Sequence, residues 1–251
     1  ARKSRDHSEK MFKYLNIPIK LNSNKNFDLI KIKGKKKISP FNYKIPSDIS
    51  SASFFIILTA LSKKSKLMIK NVNINPSRIG ILKILKLMGI KIKIKNIKFY
   101  KGEKIGDLYI ISTDYIKPIN CPVNLNSSAI DEFLLLFIAA AKANGTSYFK
   151  NLSELNKKES PRLVWGAKIL NKMGIRTILT DDSIKIYGNP KLKIDKKILI
   201  KDFHKDHRVF MTCVIAALTF GGEWKIFDKN SINTSFPKFL DKIKKLGARI
   251  Y

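Results

Sequence analysis

The chain has 251 residues, 44% hydrophobic and 27% charged, enough to bury a large core in one large domain or two smaller ones. Its 50 Lys and Arg against 19 Asp and Glu give a formal net charge of +31, which invites a nucleic-acid partner. That partner is set aside, because only seven of the 50 are Arg, the residue of bidentate base contacts, while Lys is spread along the whole chain with Ile and Asn, all three encoded by A/T-rich codons.

No apolar run reaches the length of a membrane span, and the first residues, ARKSRDHSEK, do not read as a signal peptide. Cys121 and Cys213 are far apart and read as reduced thiols of a cytoplasmic protein, not as a disulfide or zinc framework. Residues 1–46 carry a helix, DHSEKMFKYL, then strands around FDLIKIKG, then Pro40 and Pro46. A domain boundary is expected near residues 45–48.

From residue 47 the chain repeats itself three times. Each repeat opens with an acid (Asp48, Asp131, Asp206) and continues with an apolar helix, a short strand such as KLMIK or EWKIF, and an Asn- or Ser-rich loop. A second, amphipathic helix follows and ends at a glycine: Gly89, Gly174 and Gly247. From acid to glycine the spacing is 41, 43 and 41 residues. A further strand is expected after each glycine; IKIKIK at 90–95 alternates with period two. The fold class is therefore α/β, with repeat boundaries near 47–117, 118–189 and 190–251. Asp48 reads as an ordinary helix cap. Asp131 is followed by a second acid and a long apolar helix, so that helix mouth is expected to face a cleft.

The stretch KKESPRLVWGAKIL at 157–170 sets Lys158, Glu159 and Arg162 side by side. Ser160 suits an N-cap and Pro161 the first helical position, so the helix is expected to start at Pro161. Two cations and a helix N-terminus then meet one carboxylate, a place for an anion beside a proton-transfer group. A solvated charge cluster at a helix start is the plain alternative. His204 and His207, three apart with no further ligand set, do not make a metal site.

Seven stretches, in order, resemble the 5-enolpyruvylshikimate-3-phosphate synthase family of enolpyruvyl transferases. They are SRDHSEKM (4–11), SDISSASFF (47–55), NPSRIGIL (75–82), IDE (130–132), KESPR (158–162), DHR (206–208) and TSFPKF (234–239). The resemblance covers essentially the whole chain. It implies a fold of two domains, each of three βαβαββ units about a pseudo-threefold axis, with substrates between them. It also implies that residues 47–251 are the C-terminal domain, that residues 1–46 are a remnant of the N-terminal domain, and that most of that domain is missing. Such a fragment is expected to be inactive alone.

The implied reaction transfers the enolpyruvyl group of phosphoenolpyruvate to the 5-hydroxyl of shikimate 3-phosphate. It releases phosphate by addition and elimination, and needs no cofactor and no metal. By resemblance, Asp131 is the base at the ring hydroxyl, Glu159 donates and later removes the methylene proton, and Lys158 sits near the reacting hydroxyl. Arg162 and Arg208 clamp the phosphoenolpyruvate carboxylate, His207 lines the pocket, and Ser4 and Arg5 contact the shikimate phosphate. The expected partners are these two small molecules, with no nucleic acid and no membrane, and the protein is expected to be a cytoplasmic monomer. Four positions depart from the family pattern: Pro161 for Asp, Leu134 for Pro, Lys205 for Gly and Thr234 for Lys. The alternatives are a non-catalytic folded fragment or paralogue, and the related transferase acting on a UDP-sugar. Arg78, in NPSRIG, is expected to form a structural ion pair with no catalytic role.

Overall fold

The computed structural model describes residues 5–24, 27–34 and 37–250. Helix α1 (His7–Tyr14) leads into an antiparallel ribbon of β1 (Ile19–Ser23) and β2 (Asp28–Ile32), with Ile19 opposite Ile32. Leu29, Ile30 and Ile32 of β2 are exposed. Residues 37–46, with Pro40 and Pro46, hold neither helix nor strand.

The first repeat contains α2 (Ile49–Leu61), β3 (Lys66–Asn73), α3 (Gly80–Leu87), β4 (Lys91–Tyr100) and β5 (Glu103–Ile111). The second contains α4 (Asn126–Ala129), α5 (Phe133–Ala141), β6 (Thr146–Phe149), α6 (Arg162–Lys172), β7 (Thr177–Leu179) and β8 (Ile184–Tyr187). The third contains β9 (Ile194–Ile200), α7 (His207–Phe220), β10 (Gly221–Ile226) and α8 (Phe239–Lys245).

The topology recurs as well as the element order. The first two repeats each form an antiparallel sheet with the last strand in the middle, β3-β5-β4 and β6-β8-β7. In every repeat the chain before the first helix also runs parallel to the strand after it. Ser47 bridges Val72, Asn120 bridges Tyr148, and β9 pairs with β10. The third repeat departs from expectation, because no strand follows Gly247 within residues 248–250. There β10 is paired with β9 alone. We propose that residues 47–251 are three units of one domain, set apart from residues 1–46.

All nine residues of α5 are buried, and only Ser51 and Leu58 of α2 are not. Helices apolar all round must be enclosed by protein. Helices α2, α5 and α7 accordingly form the centre, each packed against the other two. Fully burying each Leu, Ile or Phe contributes about 1.5–3 kcal/mol. Helix α3 lies outside them, with Ile81, Leu82, Ile84 and Leu85 inward and Lys83 and Lys86 exposed. The amphipathic helices stop where glycines adopt left-handed backbone, at φ 85° for Gly89, 87° for Gly174 and 95° for Gly247. Among the described residues no single helix is long and apolar enough to cross a membrane.

Three contacts join the repeats into a ring. Phe54 meets Phe239 edge-on at 5.6 Å between ring centroids, and Trp165 meets Phe203 at 6.0 Å. Between the first and second repeats, Gly80 lies so close to α4 that a Cβ there would sit 2.3 Å from Ser128 Oγ and 2.7 Å from its backbone carbon. The N-terminal segment is tied on separately. The Lys101 ammonium stands 5.7–6.0 Å from the ring centroids of Tyr14, Phe41, Tyr43 and Tyr100. Because backbone cannot rotate away from a new methyl as a side chain can, Gly80→Ala should lower the unfolding free energy by about 1–3 kcal/mol in a urea titration. An unchanged midpoint would mean that α3 and α4 are not in close contact.

Candidate active site

Helices α2, α5 and α7 begin close together, and side chains there bond from one repeat to the next. Asp48 caps α2 by accepting from Ser51 N at 2.8 Å, as expected for it. Asp206 caps α7 by accepting from Arg208 N at 2.9 Å. Asp131 does not cap: α5 starts at Phe133 with Glu132 in the cap position. Ser50, in the first turn of α2, donates to Glu132 Oε1 at 2.5 Å. Arg208, in the first turn of α7, donates from Nη1 to the Asp131 carbonyl at 3.0 Å.

Among the described residues Arg162 is the largest fully buried side chain, 2% exposed. Its Nε donates to Asp206 Oδ2 at 2.9 Å and its Nη2 to Asp206 Oδ1 at 3.3 Å, a two-point pair with a carboxylate that is itself fully buried. Nη1 lies 3.5 Å from Asp131 Oδ1, and Nη2 also donates to Glu159. The expected cap at Ser160 is not made. Its hydroxyl donates to Asp206 Oδ2 at 2.8 Å, Pro161 takes the cap position, and helix α6 begins at Arg162. The reason is burial: a carboxylate withdrawn from water needs every donor in reach.

The structure brings Asp131, Glu159, Arg5, Arg162 and Arg208 together. Arg5 donates to Asp131 Oδ2, and Arg208 Nη2 stands 3.7 Å from the same oxygen. Glu159 and Arg5 are the exposed members of the group. Lys158 lies at the edge of this group. Its ammonium pairs with Glu154 at 3.2 Å, one turn back, and its charge acts on Asp131. His207 is half-buried in the first turn of α7. Ser4 lies outside the described residues.

Burial alone would raise the Asp131 carboxyl, but the cations of Arg208, Arg5 and Lys158 hold it below its ordinary value. Asp206 is likewise lowered, with burial outweighed by Arg162, Ser160 and the Arg208 amide. Burial pushes Glu132 up despite Arg208 and Ser50. Burial, with Arg208 beside it, pushes His207 down, so its ring is neutral at pH 7.

Two family departures are accommodated. Lys205 adopts a left-handed backbone with φ 53°, next to His204 at φ 55°, yet Asp206 still caps α7. Pro161 brings no carboxylate to Arg162, and Asp206, Glu159 and Asp131 supply it instead. Reading the sequence missed Ser50, Glu132, Ser160 and the charge role of Asp206. IDE and DHR were visible, but nothing local shows which acid turns inward. Concavities of about 550 and 750 Å³ lie elsewhere, the first between α2, β3 and α8, the second between α7, β10 and α8. Neither is lined by Arg5, Asp131, Glu159, Arg162 or Arg208.

Removing one member of a buried ion pair costs about 3–5 kcal/mol. Asp206→Asn should therefore lower the unfolding free energy at pH 7 by that amount in a denaturant titration. Because the folded-state value of Asp206 lies below its ordinary 3.8, its contribution is complete above that pH and is lost as the pH falls through the folded value. The gap between wild type and variant should accordingly narrow in acid. A gap that stays constant from pH 7 down to about pH 2 would show that the pair does not titrate.

The profile of EPSP synthase (3-phosphoshikimate 1-carboxyvinyltransferase) matches residues 1–243. Curated relatives called 3-phosphoshikimate 1-carboxyvinyltransferase include those of Ruthia magnifica subsp. Calyptogena magnifica and Petrotoga mobilis. Each is 37% identical over 247 residues, covering 98% of this chain and 55% of the relative. The chain thus spans about half the length of the curated relatives it matches. The solved EPSP synthase of Acinetobacter baumannii superposes with a TM-score of 0.87 at 35% identity, over 97% of this chain and 54% of that one. The enolpyruvyl transferase NikO of Streptomyces tendae shares the fold at a TM-score of 0.72 and 18% identity, over 95% and 52%. With its three linked repeats, its guanidinium–carboxylate mouth and a profile match over nearly its whole length, the chain belongs to the EPSP synthase family.

Proposed function

We propose that this chain supplies one wall of an enzyme that transfers the enolpyruvyl group of phosphoenolpyruvate to the 5-hydroxyl of shikimate 3-phosphate, releasing phosphate. The observation that carries it is the gathering of Arg5, Arg162 and Arg208 on Asp131 and Glu159, where three helices begin. Helix N-termini and guanidinium forks favour carboxylates and phosphates, and the carboxylates among them can move protons. The relatives' names supply the acceptor, 3-phosphoshikimate, and the carboxyvinyl group transferred, and the family resemblance supplies the donor and the leaving phosphate. The reading places the protein in the cytoplasm as a monomer acting on two small molecules.

The arrangement suggests how binding readies the chemistry. All the donors of Arg162 face protein carboxylates, and Glu159 is the one exposed to water. A substrate carboxylate can take the place of Glu159 on Nη2, and the freed Glu159, open to water, takes up a proton, gives it to the methylene carbon and later takes one back. Asp131 is a weak base while Arg5 and Arg208 lie against it. When those cations turn to substrate anions, its proton affinity rises, which suits it to take the proton of the attacking hydroxyl. Lys158 and His207 line the same mouth. Ser4 and Arg5 are assigned to the shikimate phosphate. No step needs a cofactor or metal.

The test is phosphate release from phosphoenolpyruvate and shikimate 3-phosphate by the full-length protein containing this chain. Glu159→Gln should leave KM for phosphoenolpyruvate near its original value and lower kcat about 100- to 10,000-fold, as loss of an acid–base group does. Arg208→Lys should mainly raise KM for phosphoenolpyruvate, because a point charge replaces a fork. No phosphate release by the unaltered protein would leave a non-catalytic member of the fold. Near-normal turnover of Glu159→Gln would remove that residue from the chemistry.

A further inference from the structure

The loop between β3 and α3 carries NPSR, residues 75–78, and lies outside the cluster of groups just described. Its polar side chains bond in two directions, to Asp6, the sequence neighbour of Arg5, and to Ser50. Asn75 Nδ2 donates to Asp6 Oδ1 at 2.6 Å and Ser77 Oγ to the same oxygen at 3.2 Å. Asp6 adjoins Arg5, whose guanidinium meets Asp131. On the other side, Arg78 Nη2 donates to Ser50 Oγ at 2.8 Å, and Ser50 donates onward to Glu132 Oε1 at 2.5 Å. That same oxygen lies 3.9 Å from Arg208 Nη1, which also holds the Asp131 carbonyl. Arg78 is itself anchored by Asp48 at 3.2 Å.

We propose that the 75–78 loop is the positioning element of the site, setting Arg5 through Asp6 and setting Arg208 through Arg78, Ser50 and Glu132.

The reason is geometric. Arg208 has a long side chain that would lose much rotamer freedom on binding an anion. Bonds to Asp131 and Glu132 behind the guanidinium remove that freedom in advance and leave its other donors for a ligand. Glu132 is 2% exposed and could not sit there without the Ser50 hydroxyl and the Arg208 cation beside it. Ser50 has one hydroxyl proton, and Arg78 directs it. By donating to Ser50 Oγ, the guanidinium occupies a lone pair and leaves the Ser50 proton for Glu132. Neither Arg78 nor Asn75 touches Asp131 or Glu159, so both act through other residues. The part of the proposal that concerns a ligand rests on the proposed enolpyruvyl reading.

The two branches can be read separately. In the full-length protein containing this chain, the side-chain resonances of Arg5 and Arg208 can be assigned by NMR after 15N-arginine labelling, each by its loss in the corresponding Arg→Lys variant. Without ligand, Ser50→Ala should free the rotation of Arg208 and leave Arg5 unchanged, whereas Asn75→Ala should free Arg5 and leave Arg208 unchanged. Ser77→Ala replaces Asn75→Ala if the latter does not fold. General loosening would move both arginines in both variants. In a calorimetric titration with phosphoenolpyruvate, Ser50→Ala should weaken binding roughly threefold to tenfold, the worth of one hydrogen bond. The same substitution should have little effect once Arg208→Ala is in place. Arg208 signals unaltered by Ser50→Ala, or both arginines freed by either variant, would overturn the proposal. If the branches separate as stated but the unaltered protein does not bind phosphoenolpyruvate, the positioning role stands and the substrate reading fails.

Discussion

The pair of Arg162 and Asp206 is the contact on which the rest of the site depends. Both are withdrawn from water, and they belong to different repeats. An isolated charge there would be prohibitive, so each exists only because the other is in place, with Ser160 and the Arg208 amide taking the remaining acceptor capacity of Asp206. The pair fixes the start of α6 against the start of α7. That in turn sets where Glu159, three residues before Arg162, and Arg208, two after Asp206, can reach.

Such a pair contributes little net stability beside a well-packed apolar alternative. The apolar centre of α2, α5 and α7 holds the ring together, helped by the Phe54–Phe239 and Trp165–Phe203 contacts. The ionic layer serves specificity of arrangement. Its cations and carboxylates alternate around one mouth: Arg5 with Asp131, Arg208 with Asp131 and Glu132, and Arg162 with Glu159 and Asp206. Such a layer is closed against itself until an anion competes for the guanidinium donors. On the proposed reading, anion binding and release of Glu159 and Asp131 become one event.

The exposed lysines play little part in this. Most of the +31 charge lies on solvated faces, as in β4, where Lys91, Lys93 and Lys95 alternate with the inward Ile92 and Ile94. Of the seven arginines, Arg5, Arg78, Arg162 and Arg208 all join the ionic layer or its support. Their low number made each one informative, and Arg78, read from sequence only as a structural ion pair, turned out to lead into the site.

The sequence by itself determined what depends on near neighbours. Period-two and all-apolar runs specified strands and core helices, and three glycines marked helix ends because left-handed backbone favours glycine wherever it occurs. The recurrence of the acid-to-glycine spacing disclosed the three repeats, and the ordered motifs disclosed the family. What it could not determine were bonds between groups far apart in the chain. Ser160 had the local chemistry of a helix cap, yet its hydroxyl belongs to Asp206, 46 positions away. Lys158 pairs with Glu154, one turn back, and Glu132 rather than its neighbour Asp131 turned to Ser50, 82 positions back. Each of these outcomes is decided by burial, since a polar group shut off from water must take whichever partner the fold brings within reach. The tertiary structure alone says which partner that is.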